Sequence, residues 1–220
     1  MKSFWKENTF VLITYLVFLL TGLFFVISYS KADLHLAINQ WHTTFFDGFF
    51  KYVTWLGSGW MVLFLTLLFL LIKVRYAAVY LSGNLLITIF VQAGKHLFFP
   101  RVLRPVAYFK GVHTLHLVQG VVMHSYNSFP SGHSATAFGI FVILIFLIKN
   151  RFLKFVWLCV ALLTAFSRVY ISQHFLVDIL AGSLTGAIGM YLTIYYFNKR
   201  FPDCCNFSLV TRLSDKKKKA

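Results

Sequence analysis

Two residues at the start of the last apolar stretch of the chain, His174 and Asp178, are spaced for chemistry. On a helix they lie one turn apart on the same face, so the carboxylate can hydrogen-bond one nitrogen of the imidazole. The second ring nitrogen is then oriented, electron-rich and able to act as a nucleophile. A carboxylate at the edge of an apolar stretch is costly unless it has a partner, and is usually functional. The same spacing also fits a buried pair that only holds two helices together.

A second candidate segment, YNSFPSGHSATAFG, places small polar residues and a histidine at the start of a long apolar run. Pro130 and Ser131 suit the beginning of a helix capped by the serine hydroxyl, and Gly132 allows a close approach of the backbone to an oxyanion. His133 falls in the first turn, where it could donate a proton to a leaving group. Alone, this pattern is more typical of a helix cap. Its combination with His174 favours catalysis.

Three basic residues, Lys95, Arg104 and Arg168, could add fixed positive charge to the same region. Such charges suit a phosphoryl group, whose oxygens stay negative throughout transfer. The spacing of His113 and His116 suggests zinc, but no complete ligand set accompanies them. We therefore expect no metal and no cofactor.

The composition indicates what positions these residues. Of the 220 residues, 59% are hydrophobic and only 12% are charged, which is typical of an integral membrane protein rather than a soluble domain. The net charge of +15 does not indicate a nucleic-acid partner, because basic residues normally flank membrane spans. We expect the lipid bilayer to be the partner, and no nucleic acid.

The apolar stretches predict an all-α fold, a bundle of six transmembrane helices. Residues 31–53 are too polar to span and alternate at near-helical spacing, so we expect an interfacial helix in the first outer loop. Residues 1–200 would form one membrane domain, and residues 201–220 a basic cytoplasmic tail. The six predicted spans are residues 9–29, 54–72, 76–94, 133–148, 155–171 and 175–197.

The distribution of lysine and arginine predicts the orientation. With the N-terminus in the cytoplasm, most of the 21 basic residues lie inside, as the positive-inside rule requires. Both termini are then cytoplasmic, and the second and third outer loops open on one face. That topology brings segments 95–132 and 167–174 together at the outer membrane surface. The helix N-termini that begin there favour an anion.

These motifs resemble those of the type 2 phosphatidic acid phosphatases, PAP2, which are relatives of bacterial acid phosphatases and vanadium haloperoxidases. The family signature has three parts: a lysine, six residues and Arg-Pro; then Pro-Ser-Gly-His; then Ser-Arg, five residues, His, three residues and Asp. The second part is intact here as residues 130–133, and the third as Ser167, Arg168, His174 and Asp178.

The first part of the signature departs from the family pattern. Eight residues rather than six separate Lys95 from Arg104 and Pro105. This longer spacing leaves Arg101 as an alternative to Lys95 for the family lysine. The resemblance covers about residues 95–178 together with the layout of six spans.

The resemblance implies a PAP2/haloperoxidase-like core and a metal-independent lipid phosphatase. His174 would attack phosphorus and form a phosphohistidine, Asp178 would orient it, and His133 would protonate the departing oxygen. Substrates of six-span members include undecaprenyl diphosphate, phosphatidylglycerol phosphate, phosphatidic acid and lipid A phosphates. A bacterial inner membrane, with the site on the periplasmic or extracellular side, is the expected location. The expected phosphate-binding residues are Lys95, Arg104, Ser131, Gly132 and Arg168.

Three other functions fit parts of the pattern. A lipid or anion transporter could use the same basic pocket, but it would not need His174, His133 and Asp178 at these positions, and broken helices in matching halves would be expected. A catalytically silent scaffold would usually have lost a motif residue. A vanadate-dependent peroxidase is the enzymatic alternative, disfavoured by so short and lipid-embedded a chain.

Overall fold

The computed structural model of the chain describes residues 2–208, with side chains from residue 4 onward. Most of the predicted basic tail, residues 209–220, therefore lies outside the described residues. The described part is all-helical, as predicted. A short 3-10 helix, Thr54–Gly57, precedes α4, and a π-helical turn, Gly94–Phe98, follows α5. The α-helices are α1 (Lys2–Ser28), α2 (Lys31–Asn39), α3 (Thr44–Val53), α4 (Gly59–Ile72), α5 (Val74–Ala93), α6 (Pro105–Tyr108), α7 (Gly132–Leu147), α8 (Arg151–Tyr170) and α9 (Leu176–Arg200).

Several of these helices are long and apolar enough to cross a membrane, so the chain is an integral membrane protein. Among residues 2–208, four qualify by length and composition: Phe4–Ser28, Val74–Phe98, Arg151–Tyr170 and Leu176–Arg200. A bent pair, Thr44–Gly57 and Gly59–Ile72, would count as a fifth span despite its angle of 54°.

The predicted count of six spans also requires α7, which stays a prediction. This helix has 16 residues and so is about 24 Å long, shorter than a typical hydrocarbon core of about 30 Å. Most of its residues are buried among other helices, with Phe138 and Phe141 almost fully enclosed. A central helix packed on several sides meets little lipid, and its length is not set by lipid contact.

The segment predicted as the first outer loop contains two helices where one was predicted. Helices α2 and α3 cover residues 31–53, and the turn between them ends at Thr43, whose hydroxyl caps α3 by accepting from the Phe46 N–H. Asn39 at the end of α2 pairs with the backbone of His116, accepting from its N–H at 2.9 Å and donating to its carbonyl at 2.9 Å. The two helices thus pack on the loop that precedes α7. Their position at the membrane interface stays a prediction.

Close contact between α7 and α9 determines how the start of α7 is held. A Cβ at Gly182 would collide with the carbonyl oxygen of Ser131, and a Cβ at Gly186 would collide with that of Ala135. Small residues four apart let two helix backbones approach in this way. The Ser131 N–H in turn donates to the carbonyl oxygen of Asp178 at 3.0 Å. The N-terminal ends of α7 and α9 are therefore fixed against each other.

At the opposite end of the bundle, Arg75 connects α5 to the end of α9. Its guanidinium donates to the carbonyl oxygens of Phe201 and Cys204, at 2.6 Å and 3.0 Å, and to Asn198 Oδ1 at 2.8 Å. These acceptors include carbonyls that a helix C-terminus leaves without partners. The basic residues at this end thus serve the packing of the bundle.

Candidate active site

Apart from Arg104, which precedes α6, the predicted site residues come from four helix ends that meet at one end of the bundle. The π-helical turn that follows α5 carries Lys95, and the N-terminal end of α7 carries His133. The last turn of α8 carries Arg168, and a short loop then leads through His174 to Asp178 in the first turn of α9. In that loop the N–H of His174 donates to the carbonyl oxygen of Arg168 at 3.0 Å, which holds the two motif residues close together.

His174 and Asp178 form a pair that is almost completely buried, with 1% of each residue exposed. The Nδ1 atom of His174 lies 3.3 Å from Asp178 Oδ2. Because an ionised carboxylate only accepts hydrogen bonds, Nδ1 must carry the proton and Nε2 keeps its lone pair. Burial lowers the pKa of His174, and the nearby Asp178 opposes this shift. The imidazole is therefore neutral at pH 7, which is the form a nucleophile requires.

Asp178 has two further donors, one of which sequence reasoning missed. The Phe175 N–H donates to Oδ2 at 2.9 Å, and the hydroxyl of Ser128 donates a short hydrogen bond to the same oxygen. Ser128 is fully buried, and its Oγ also lies 3.4 Å from Nδ1 of His174. A serine three residues before Ser131 was visible in the sequence, but only the fold of its loop places it behind the carboxylate.

Two arginines reach the region from different sides, and both are held by side chains that the motifs do not include. Arg104 donates from Nε to the carbonyl oxygen of Tyr126 at 2.9 Å and from NH1 to Gln173 Oε1 at 3.0 Å. Arg168 donates from NH1 to Thr54 Oγ1 at 2.8 Å. Although only 7% of Arg168 is exposed, its Nε has no hydrogen-bond partner within residues 4–208. A buried guanidinium N–H without an acceptor suits an incoming anion.

Electrostatic interactions show that these charges belong to one cluster. His133 interacts with the charges of Arg168, Lys95 and Arg104 and with His174. His124, which the sequence did not single out, lies on the same cluster: partial burial lowers its pKa, and the charges of Arg104, Arg168 and Lys95 lower it further. The predicted convergence of the motif residues is therefore present in the structure. The role of each residue remains a proposal.

Lys95, rather than Arg101, faces this cluster. Lys95 lines a cavity of about 350 Å³ together with His133 and Gly132, whereas Arg101 is exposed at the surface. The longer spacing to Arg104 coincides with the π-helical turn Gly94–Phe98, which accommodates an extra residue relative to an α-helix. Lys95 thus reaches the site despite the departure from the family spacing.

The start of α7 provides backbone donors. Ser131 caps the helix by accepting from the Ser134 N–H at 3.4 Å, and its own N–H is already bonded to Asp178. The next N–H groups, those of Gly132 and His133, lie in the first turn, where an α-helix offers no internal acceptor. A Cβ at Gly132 would meet only a Val91 methyl at 3.6 Å, so the space beside it is open. These two N–H groups are the better candidates for an oxyanion, with Ser131 fixing their position.

Across residues 2–208, no three histidine, cysteine, aspartate or glutamate side chains are grouped as a metal ion would require. His116, one of the two histidines considered for zinc, instead interacts with Asp47: its Nε2 lies 2.8 Å from Asp47 Oδ2.

The model of the PAP2 superfamily matches residues 72–202, more than half of the chain. The chain belongs to the PAP2 superfamily. The match spans α5 to α9, and so includes all four helix ends of the site.

Two curated relatives are lipid phosphatases by name. The chain is 35% identical to the lipid A 4'-phosphatase of Bacteroides thetaiotaomicron over 31% of this chain and 30% of that protein. It is 34% identical to the undecaprenyl-diphosphatase BcrC of Bacillus subtilis over 38% of this chain and 42% of that protein. The matched segments thus span less than half of each relative.

Two solved structures share the fold. The crystal structure of Aquifex aeolicus LpxE matches with a TM-score of 0.66 and 26% identity, covering 74% of this chain and 94% of that one. The Bacillus subtilis transmembrane PAP2 type phosphatidylglycerolphosphate phosphatase matches with a TM-score of 0.60 and 21% identity, covering 90% and 99%. The second likeness supports the fold alone.

Proposed function

We propose that this protein hydrolyses a lipid phosphate or diphosphate through a phosphohistidine intermediate, without a metal ion. The observation that carries the proposal is a neutral, oriented imidazole beside a cluster of cations. Asp178 holds Nδ1 of His174, and the charge of Arg168, whose buried Nε has no acceptor within residues 4–208, acts on the same imidazole. A nucleophile and an anion site of this kind are the two requirements of phosphoryl transfer.

In the first step, Nε2 of His174 attacks phosphorus and the bond from phosphorus to the leaving oxygen breaks. Asp178 stabilises the positive charge that develops on the imidazole, and it remains ionised. His133 gives its proton to the leaving oxygen, so the alcohol or phosphate leaves protonated. A bound phosphate brings negative charge next to His133, which favours the protonated form needed for this step.

In the second step, water attacks the phosphohistidine. His133, now neutral, accepts a proton from that water, the bond from nitrogen to phosphorus breaks, and inorganic phosphate leaves. Lys95, Arg104 and Arg168 hold the non-bridging oxygens through both steps, replacing the charge that a metal ion supplies in other phosphoryl-transfer sites. The first-turn N–H groups of Gly132 and His133 add two donors to the same oxygens.

We propose that the membrane is a bacterial inner membrane, with the site on its periplasmic or extracellular side and both termini in the cytoplasm. The bias of lysine and arginine toward the opposite end of the bundle supports this orientation. A substrate phosphate at headgroup level would then meet the helix ends while its chains stay in the bilayer.

The proposal is tested by measuring phosphate release from purified lipid phosphates in detergent micelles. Wild-type protein should release phosphate from at least one of phosphatidic acid, phosphatidylglycerol phosphate, lipid A phosphate and undecaprenyl diphosphate. His174→Gln should abolish release while the protein stays folded. Release by His174→Gln at the wild-type rate, or binding and transport of an intact lipid phosphate without release by the wild type, would overturn it.

A further inference from the structure

The short loop that joins α8 to α9 is held from outside by helix α2. The Nε2 atom of His35 lies 3.2 Å from the hydroxyl oxygen of Ser172, and Asn39 donates from Nδ2 to the same oxygen at 3.4 Å. His35 and Asn39 are four residues apart and so lie on one face of α2. His35 and Ser172 are almost fully buried, with 1% of each exposed. Two side chains of α2 therefore reach the loop that carries the nucleophile.

Ser172 has a backbone conformation that needs such support. Its φ is 55°, in the left-handed region that residues other than glycine rarely adopt. A conformation of this kind persists only where surrounding contacts hold it. The Ser172 N–H donates to the carbonyl oxygen of Val169 at 3.0 Å, and its hydroxyl contacts α2. Because Ser172 lies two residues before His174, this turn determines where the backbone of the nucleophile lies.

His35 also packs on the residue that follows the nucleophile. The centroid of its ring lies 5.4 Å from that of Phe175, with the two planes at 69°, and 5.7 Å from that of Phe109, with the planes at 24°. Phe175 is the N-cap residue of α9. His35 thus contacts the chain on both sides of His174, at Ser172 and at Phe175.

The residue type at position 35 indicates that its polar contact matters. An aliphatic side chain could pack against Phe109 and Phe175 without burying a polar atom. The imidazole of His35 instead buries Nδ1, which has no hydrogen-bond partner within residues 4–208. A buried polar atom without a partner costs free energy. The contact from Nε2 to Ser172 is what a histidine provides here and an aliphatic residue lacks.

Resting on the phosphatase function proposed above, we propose that His35 is a positioning residue for His174 and acts through the hydroxyl of Ser172. It holds the turn before the nucleophile and the residue after it, so that the imidazole of His174 keeps its direction toward phosphorus. A small displacement of a reacting group costs a large factor in rate. Loss of the contact should lower kcat and leave KM little changed, because the phosphate-binding arginines are bonded to other groups.

Two polar substitutions of different length test the reach of residue 35. Glutamine places its terminal group near the position of imidazole Nε2, whereas the shorter asparagine does not reach Ser172. In His35→Asn, kcat should fall by about three- to tenfold, the factor expected for one neutral hydrogen bond, and His35→Gln should recover most of it. Ser172→Ala removes only the hydroxyl and should lose a similar factor. Because both changes break one contact, the variant that combines His35→Asn with Ser172→Ala should lose no more than the larger single loss.

The rates are measured as phosphate release from whichever of phosphatidic acid, phosphatidylglycerol phosphate, lipid A phosphate and undecaprenyl diphosphate the wild type hydrolyses fastest. Tyr15→Phe is the matched control, since it removes a buried hydrogen bond between α1 and α9 away from the loop. It should lower the melting temperature and leave kcat within about twofold.

The inference would be overturned by a kcat in His35→Asn no lower than in His35→Gln, by additive losses in the combined variant, or by an equal loss in Tyr15→Phe. If neither variant of His35 folds, Ser172→Ala alone decides, and a wild-type kcat in it overturns the inference. All of these results leave the phosphatase function standing. No release by the wild type from any of the four lipids would instead refute the proposed function.

Discussion

Removing the hydroxyl of Ser128 should slow catalysis without weakening substrate binding. Ser128 donates to Asp178 Oδ2, is fully buried, and supports the carboxylate that orients His174. Hydrogen bonds to charged groups contribute about 1.5–3 kcal/mol, and each 1.36 kcal/mol of transition-state free energy is tenfold in rate. Asp178 would keep only the Phe175 N–H and the imidazole as donors. Ser128→Ala is therefore expected to lower kcat by about 10- to 150-fold, with KM little changed.

Steady-state phosphate release from a lipid phosphate measures this effect, and two variants separate positioning from folding. Ser128→Thr keeps the hydroxyl and should retain more activity than Ser128→Ala. Ser183→Ala removes another buried, hydrogen-bonded serine hydroxyl from α9, one that accepts from Tyr15 and lies away from the reacting atoms. Ser183→Ala should lower the melting temperature but leave kcat within about threefold. A loss of kcat in Ser128→Ala no greater than in Ser183→Ala would refute the role of Ser128.

Three further predictions concern packing, acid stability and metals. Gly186→Ala should destabilise the protein by about 1–3 kcal/mol, because its Cβ would collide with the α7 backbone. Gly48→Ala should not, because no atom lies within 4 Å of the position of its Cβ. Equal melting temperatures of the two variants would contradict the close contact between α7 and α9. Burial lowers the pKa of His35 from 6.5 to about 4, so between these pH values the unfolded chain binds more protons than the native protein. Its stability should therefore fall by up to about 1.4 kcal/mol per pH unit as the pH drops from 6.5 to about 4. The fall should be shallower in His35→Leu, and parallel pH profiles would exclude His35 as its cause. Excess EDTA should leave phosphate release unchanged and vanadate should inhibit it competitively, whereas loss with EDTA, restored by a divalent ion, would assign the reaction to a metal.

The features that the sequence predicts well are those that depend on residues close together in the chain. The cap at Ser131 and the pairing of His174 with Asp178 each need only one turn of helix, and both are present. The apolar stretches likewise predict helices, since burial in lipid requires every backbone group to bond within its own segment. Membership in PAP2 follows from two intact local motifs.

The features that the sequence does not predict depend on contacts distant in the chain. Ser128 reaches Asp178 because the preceding loop is fastened elsewhere, through Asn39 to His116 and through Arg104 to Tyr126. The periodicity of residues 31–53 does not reveal the break between α2 and α3, because the residue types at positions 40–43 are also compatible with a continuous helix. The π-helical turn that carries Lys95 toward the site also has no signal in the motif, whose spacing it alters.

The most direct test of the central claim, that the oriented imidazole of His174 is the nucleophile, is to trap the intermediate. Purified protein is mixed briefly with a lipid carrying a ³²P-labelled phosphate, quenched in alkali, and mapped by peptide. Label on the peptide containing His174, stable to alkali, labile to acid and lost in His174→Gln, is the predicted result. Phosphate release by the wild type with the label on another residue would contradict the account.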